Sequence, residues 1–294
     1  MIPFGPVPSR RLGQSVGVNN IPPKICTYSC AYCQIGRRGT MQTERAAFYE
    51  PEEVLRQVRA KTEGALAAGE RIDYLAFVPD GEPTLDENLG EEIRLLRELH
   101  LPIAVITNSS LLSREDVRAD LCAADWVSVK LDAADEETWR RVDHPHRQLS
   151  FPHIIEGLFA FSREYSGQLV TETMLAAGIN DSEEDAVRVA DVLAGLAPSR
   201  AYLSIPTRPP ADPRVHAPDG ATVNAYYQIV SDKVEQVECL TGYEGNAFAA
   251  SGNAEEDLLS ITAVHPMRSD AVETLLQRSG AEWSVVERLV TAGD

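Results

Sequence analysis

The run Lys24-Ile25-Cys26-Thr27-Tyr28-Ser29-Cys30-Ala31-Tyr32-Cys33 carries three thiols at C-x3-C-x2-C spacing. Thiolates on so tight a loop can each ligate one iron of a cubane cluster. Three protein ligands leave one of the four irons of a [4Fe–4S] cluster open to a small chelating molecule, whereas a cluster that only carries electrons normally takes a fourth cysteine. Structural zinc usually has a closed set of four protein ligands, and no Cys or His near the loop completes one. Tyr32, an aromatic residue immediately before the third cysteine, adds specificity to the pattern. Cys26, Cys30 and Cys33 are therefore the expected metal ligands. Cys122 and Cys239 stand alone in the chain and read as core thiols.

Other residues suited to chemistry sit where short apolar runs end. Asp80-Gly81-Glu82-Pro83-Thr84 is an acidic, carbonyl-rich turn that suits an ammonium group, although such turns are also ordinary connectors. Thr107-Asn108-Ser109 could hydrogen-bond a ribose or a substrate, or simply cap its strand. Ser128, Lys130 and Asp132 alternate and so face one side. A desolvated Lys130 could form a Schiff base with a carbonyl; pairing with an acid such as Asp132 or Glu172 is the commoner fate. Arg208 could grip a carboxylate or phosphate through its guanidinium fork. Lys130 and Arg208 are thus the candidate catalytic residues. His144-Pro145-His146 suggests a metal pair, but its loop setting reads as simply exposed.

The elements that must position these residues are short β-branched runs alternating with longer amphipathic ones. Ile72–Pro79, Ile103–Asn108, Trp126–Leu131, Leu169–Leu175 and Ala201–Pro206 read as strands, with a short strand near Ile21–Ile25 feeding the cysteine loop. Pro51–Ala68, Glu91–Leu99, Arg114–Cys122, Phe151–Tyr165, Ser182–Leu196 and Val223–Val237 have helical spacing. Alternation of this kind implies an α/β fold with a parallel sheet and right-handed crossovers, closing as a partial or full (β/α) barrel. In such a fold the functional groups gather on the loops that follow the strands. The barrel is expected over residues 1–253. Asp257–Val264, Ser269–Ser279 and Trp283–Thr291 then make a small helical appendage over residues 254–294, resembling a winged helix cut short before its wing.

Composition narrows the partners. A formal charge of −18 repels phosphate backbones, so nucleic acid is disfavoured, and acidic appendage helices argue against a DNA-reading role. The pairs Arg10–Arg11 and Arg37–Arg38 flank the cysteines and form a local patch for an anion, or else two solvated loop pairs. No apolar run is long enough to span a bilayer, and Met1–Pro8 lacks the features of a signal peptide. An odd cysteine count with three thiols crowded together suggests a reducing cytoplasm, not a secreted disulfide framework.

The C-x3-C-x-aromatic-C loop is similar to the signature of the radical S-adenosylmethionine (SAM) superfamily. Together with Phe4-Gly5-Pro6-Val7-Pro8-Ser9-Arg10-Arg11-Leu12-Gly13, it resembles the branch of Fe–S oxidoreductases related to the radical SAM enzymes of wyosine synthesis. The resemblance implies a [4Fe–4S] cluster whose open iron is chelated by SAM, reductive cleavage of SAM to a 5′-deoxyadenosyl radical, and hydrogen abstraction from a substrate. It also implies an electron donor such as flavodoxin or ferredoxin. By likeness, Asp80-Gly81-Glu82 corresponds to the superfamily's Gly-Gly-Glu motif, with Asp80 in place of the first glycine. Gly81 and Glu82 are then SAM contacts, joined by Tyr32, Asn108 and Ser128, and the run Gly178-Ile179-Asn180 lies near adenine. Two alternatives stand beside this reading: a redox-sensing regulator whose cluster controls the appendage, and a tRNA-modifying enzyme of wyosine type.

Overall fold

The computed structural model describes residues 2–35, 39–210, 212–242, 245–246, 248, 250, 252–262 and 267–292. Arg37 and Arg38 lie outside the described residues, as does the end of the helix expected to reach Val264.

Strands β1 (Pro3–Ser9) and β2 (Gly13–Val18) open the chain as an antiparallel hairpin. Two short strands, β3 (Ile25–Cys26) and β4 (Thr40–Met41), pair with each other apart from the main sheet. Helix α1 (Pro51–Ala67) begins with Pro51 in its first turn, where no backbone N–H is needed, and has Glu52 and Glu53 beside its positive end. The chain then alternates β5 (Tyr74–Phe77), α2 (Leu89–Leu96), β6 (Ile103–Thr107), α3 (Glu115–Leu121) and β7 (Trp126–Lys130). Two helices follow, α4 (Glu136–Asp143) and α5 (Phe151–Glu164), before β8 (Gln168–Met174), α6 (Glu183–Leu196), β9 (Arg200–Ser204), α7 (Gly220–Ser231) and β10 (Val237–Leu240).

The eight-stranded sheet has the order β1-β2-β5-β6-β7-β8-β9-β10, parallel throughout except for β1. Period-two alternation divides its faces. Leu75, Phe77, Val105, Val127, Val129 and Leu203 belong to the main core with the helices, through residues such as Val58, Ile93, Phe161 and Leu193. The opposite face gathers Ala76, Ala104, Trp126, Val170, Tyr202 and Leu240 into one cluster with Leu12 from the hairpin turn. The sheet also curves, since its first hairpin comes within side-chain reach of its last strand. Arg10 spans the remaining gap by donating to the carbonyls of Leu240 and Gly242. Among the described residues no ladder joins β1 to β10, so the fold is a partial (β/α) barrel.

Two expected elements are corrected, and one helix is new. The strand leading into the cysteine loop is β2, not Ile21–Ile25, because Ser15–Val18 aligns in register with Tyr74–Phe77. The run expected to be helical through Val237 breaks after Ser231, and Val237–Leu240 pairs with Ala201–Ser204 as the edge strand. Helix α4 was not anticipated, although Asp135 caps it in the usual way by accepting from the Thr138 N–H at 2.9 Å. Cys122 is exposed and Cys239 half-buried, so neither is the core thiol expected.

Helices α8 (Ala254–Thr262), α9 (Ser269–Arg278) and α10 (Ser284–Ala292) follow the barrel strands. They share an apolar cluster with Phe4 and Val7 of β1, which includes Leu258, Ile261, Leu275 and Leu276. Gly17 of β2 makes this packing possible, since a Cβ there would lie 2.0 Å from the Phe4 ring. Among the described residues no helix is long and apolar enough to cross a membrane. Phe4→Ala empties the centre of this cluster and is expected to cost about 3–5 kcal/mol in urea unfolding. A loss below about 1 kcal/mol would show that the appendage does not depend on β1 for its packing.

Candidate active site

The cysteine loop is held from both sides by backbone. On one side, Lys24 N–H donates to the Asp80 carbonyl at 2.6 Å and Glu82 N–H to the Ile25 carbonyl at 3.1 Å. Gly81 lies so near that a Cβ would fall 1.9 Å from the Ile25 oxygen. This close approach, rather than any special dihedral, is why glycine stands there.

On the other side, the end of α4 receives the loop. Ser29 N–H donates to the Asp143 carbonyl at 3.1 Å, Ala31 N–H to Val142 at 2.9 Å, and His146 N–H returns to Thr27 at 2.9 Å. His144 adopts a left-handed conformation with φ of 43°, and its Nδ1 lies 3.1 Å from the Ser29 carbonyl. The His144-Pro145-His146 segment is therefore a splint for the cysteine loop. Trp139 completes it from below, donating its indole N–H to the Tyr28 hydroxyl at 3.1 Å.

Cys26, Cys30 and Cys33 line one open cavity of about 960 Å³, its mouth included. Tyr32, Gly81, Glu82, Asn108 and Lys130 line the same cavity. Among the described residues no three Cys, His, Asp or Glu side chains converge on a single metal ion. Thiolates binding one zinc would have to meet at about 2.3 Å from it. The three thiols of the loop line one cavity, and three thiolates on one loop are the ligand set of a cubane with one open iron. Burial and the Glu82 carboxylate push the Cys26 thiol up to about 12, so iron must displace a firmly held proton. Burial likewise raises Cys30, with Asp143 next in effect, and its thiol donates to Asp143 Oδ1 at 3.4 Å.

Asn108 is fixed on three sides. Its N–H donates to Glu82 Oε2 at 2.7 Å, its amide oxygen accepts from Ser110 N–H at 3.0 Å, and its Nδ2 donates to Thr27 Oγ1 at 2.8 Å. That leaves Nδ2 only 3.5 Å from Cys26 Sγ. Glu82 is buried, and its carboxylate also accepts from Thr107 Oγ1 at 2.6 Å and from Thr84 N–H and Oγ1 at 3.2 and 2.6 Å. The carboxylate thus ties the turn after β5 to the end of β6.

Behind Tyr32 lies a charged network. Lys130 Nζ sits 3.5 Å from Asp132 Oδ2 and 4.6 Å from the centre of the Tyr32 ring. Tyr32 donates its hydroxyl to the same Asp132 oxygen. Burial opposes a charge on Lys130, but Asp132 and Glu172 more than offset it and hold the ammonium above its usual range. Lys130 is thus paired with Asp132, the commoner of the two arrangements expected for it. Burial also opposes the Glu172 charge, yet Arg11 and Lys130 bring it down to about 2.

Three expected site residues stand elsewhere. Ser128 is buried and does not line the cavity, and its hydroxyl has no hydrogen-bond partner among the described residues. Ile179 packs beside Ala31, Ala176 and Val215. Arg208 donates to Gln34 Oε1 at 2.7 Å, across Tyr32 and Cys33 from the cysteine cavity. Asn180, which ends the Gly178-Ile179-Asn180 run, bridges the carbonyls of Asp132 and Met174 at 2.7 and 2.8 Å. One residue was missed: Asp143 faces both Cys30 and Tyr32. Asp143 could have been found from α4, whose Asp135-Glu136-Glu137 start precedes Trp139 and Val142 at helical spacing.

Gly81→Ala must push the turn off the Ile25 carbonyl. We expect a stability loss of about 1–3 kcal/mol in denaturant unfolding, together with reduced iron uptake on anaerobic reconstitution. Unchanged iron content would mean that the turn does not hold the loop in place.

The family model described as "Radical SAM superfamily" matches residues 20–190 of the chain. A UPF0026 protein of Methanocaldococcus jannaschii is 44% identical over 294 residues, covering 99% of this chain and 91% of that protein. A structure of TYW1 with a lysine-pyruvate adduct bound superimposes with a TM-score of 0.60 at 18% identity, covering 75% of this chain and 74% of that one. Streptococcus suis SuiB bound to S-adenosylmethionine aligns with a TM-score of 0.55 at 15% identity, over 76% of this chain and 49% of SuiB. Likeness at these identities speaks for the fold. The family match covers more than half of the chain, includes the cysteine loop, the Asp80-Gly81-Glu82 turn and Asn180, and implies SAM and a [4Fe–4S] cluster. The chain belongs to the radical SAM superfamily of enzymes, with close kinship to the UPF0026 proteins.

Proposed function

We propose that the chain is a radical SAM Fe–S oxidoreductase in which Cys26, Cys30 and Cys33 hold a [4Fe–4S] cluster and SAM binds beside it. The observation that carries this reading is a single cavity that presents all three thiols together with Tyr32, Gly81, Glu82 and Asn108. When bound, cluster and SAM supply a 5′-deoxyadenosyl radical that takes a hydrogen atom from the substrate.

The chain's own groups bind, orient and exclude water. The SAM ammonium is met by the Asp80-Gly81-Glu82 turn. Glu82 acts there by bracing the turn, because its carboxylate is already engaged by Thr84, Thr107 and Asn108. Asn108 directs an N–H toward Cys26 Sγ, and a donor near a ligating sulfur stabilises the more negative, reduced cluster. Tyr32 forms a wall pinned by Asp132, with the Lys130 ammonium over its ring. Ser128 and Ile179 support residues of the wall from behind, and Arg208 faces the substrate side. An electron donor of the flavodoxin or ferredoxin kind supplies the electron. With a formal charge of −18, a small molecule suits the chain better than tRNA.

Anaerobic reconstitution with iron and sulfide, followed by dithionite and SAM, is expected to yield 5′-deoxyadenosine and methionine, read by chromatography. Cys30→Ala should fall to background; continued product from that variant rejects the assignment. Asn108→Leu removes the donor near Cys26 and should move the cluster midpoint to lower potential in an EPR-monitored redox titration. An unchanged or higher midpoint would show that Asn108 does not act on the cluster.

A further inference from the structure

The segment from Gly39 to Ala46 touches both the cysteine loop and the turn that faces it. Thr40 N–H donates to the Lys24 carbonyl at 2.8 Å and Gln42 N–H to the Cys26 carbonyl at 3.1 Å, so its first half edges the loop. Its second half meets the chain just past the turn. Ala46 N–H donates to the Leu85 carbonyl at 3.0 Å, and Glu87 N–H returns to the Ala46 carbonyl at 3.1 Å. The segment is thereby a strap from one half of the site to the other.

Arg45 anchors the strap. Its side chain is only 6% exposed, and each of its nitrogens is engaged. Nε donates to the Thr84 carbonyl at 3.0 Å, Nη2 to the Asp86 carbonyl at 2.6 Å and to Asp120 Oδ2, and Nη1 to Asp116 Oδ2 at 2.9 Å. The two carbonyls belong to the short helical turn Pro83–Leu85 and the residue that ends it, directly after Glu82. The two carboxylates belong to α3. Thr84 is therefore gripped twice, at its carbonyl by Arg45 and at its N–H and hydroxyl by Glu82. The α3 end of the bridge is built at close quarters. A Cβ at Gly90, near the start of α2, would fall 2.2 Å from Asp120 Oδ1, so glycine there lets Asp120 reach inward. A planar guanidinium holds diverging partners at fixed angles, which the single ammonium of lysine cannot.

We propose that Arg45 is a positioning residue, which sets the Asp80-Gly81-Glu82 turn against the cysteine loop by fastening the Thr84 and Asp86 carbonyls to α3. The proposal rests on the reading above, in which SAM binds at that turn, and adds a residue that acts from behind it. Arg45 is not among the described residues that line the cysteine cavity. Buried ion pairs add little net stability over apolar packing; what this one supplies is a fixed geometry. Without the fork, Pro83–Leu85 is free to drift, and Glu82 drifts with the Thr84 that it grips. The cysteine loop keeps its own backbone bonds to Gln42, Val142 and Asp143, so the cluster still loads while SAM binds less well.

Two measurements on the full chain test this, the first without a cluster. In hydrogen exchange read by mass spectrometry, Arg45→Gln should speed exchange at the amides of residues 84–87 about tenfold, the weight of one charge-assisted hydrogen bond. The amides of β8 should exchange as in the parent. In equilibrium dialysis of the reconstituted chain with labelled SAM, the same variant should bind about tenfold more weakly, counted per loaded cluster. Arg45→Lys keeps a charge beside Asp116 and Asp120 but loses the fork, so it should regain the unfolding midpoint without regaining SAM affinity. Arg59→Gln, on α1 and paired with Glu98 at 2.6 Å, is a control that should behave like the parent. Parent-like SAM affinity in a folded Arg45→Gln overturns the proposal. So does full recovery of that affinity by Arg45→Lys, or a rise in exchange spread evenly over the chain. Where Arg45→Gln does not fold, Gly90→Ala decides, because it displaces Asp120 and leaves Arg45 in place. Its SAM affinity should fall about threefold, and an unchanged value rejects the role. A parent chain that neither binds nor cleaves SAM rejects the function and this proposal together, whereas intact SAM binding that is indifferent to Arg45 rejects the positioning role alone.

Discussion

A three-thiol loop can do selective chemistry only if its backbone cannot relax, and here that constraint is met by clamping the loop between two pieces of main chain. The turn after β5 pairs with Lys24 and Ile25, while the end of α4 pairs with Ser29 and Ala31. Both clamps are hydrogen bonds between backbone groups, so they depend on the path of the chain more than on particular side chains. Gly81 is the exception, because only a residue without Cβ lets the turn come this close. Side chains then refine what the clamps hold. Glu82 binds the turn to β6, and through Asn108 the same carboxylate fixes the donor that approaches Cys26.

Electrostatics follows from where this clamped loop sits. The upper part of the curved sheet holds Lys130, Asp132, Asp143, Glu172 and Arg11, all charged or ionisable and mostly buried. Charges taken out of water must be matched by partners close at hand, or they neutralise. Lys130 and Arg11 keep Glu172 ionised, whereas Asp143, beside Asp132 and far from bulk water, is pushed well above the usual carboxylate range. Tyr32 stands at the centre of this network and divides the cysteine cavity from a second one whose lining includes Arg11 and Arg208. Its orientation is held by Asp132, which in turn is held through the N–H of Met174 at 2.7 Å and through Asn180.

The open edge of a partial barrel has to be covered, because an exposed strand edge and apolar face invite association. The hairpin and the appendage share that task. Arg10 stitches the hairpin turn to the far edge strand, and α8–α10 pack their apolar faces against Phe4 and Val7. Val78, at the exit of β5, touches this appendage cluster and also lines the cysteine cavity. The appendage is thereby one residue removed from the site.

Much of this was legible from residue order alone. The spacing of Cys26, Cys30 and Cys33 is local and pointed to a cluster with one open corner. Short β-branched runs such as Ile103–Asn108 and Trp126–Leu131, alternating with amphipathic helices, implied the parallel α/β sheet, because strands buried on both faces leave a continuous apolar trace in sequence. Edge elements were harder to read. Pro3–Ser9 and Gly13–Val18 are rich in Gly and Pro, and Val237–Leu240 is short, so their strand character comes from pairing with neighbours rather than from propensity. What only the tertiary structure decided is which distant groups meet. The splint formed by His144-Pro145-His146, the Lys130–Asp132 pairing over Tyr32, the retreat of Ser128 and Ile179 from the cavity, and the convergence of Arg11 and Arg208 on one mouth join segments far apart in the chain. Local sequence encodes the preferences of each segment, but contacts of this kind arise from how the sheet curves and how its loops stack at one end.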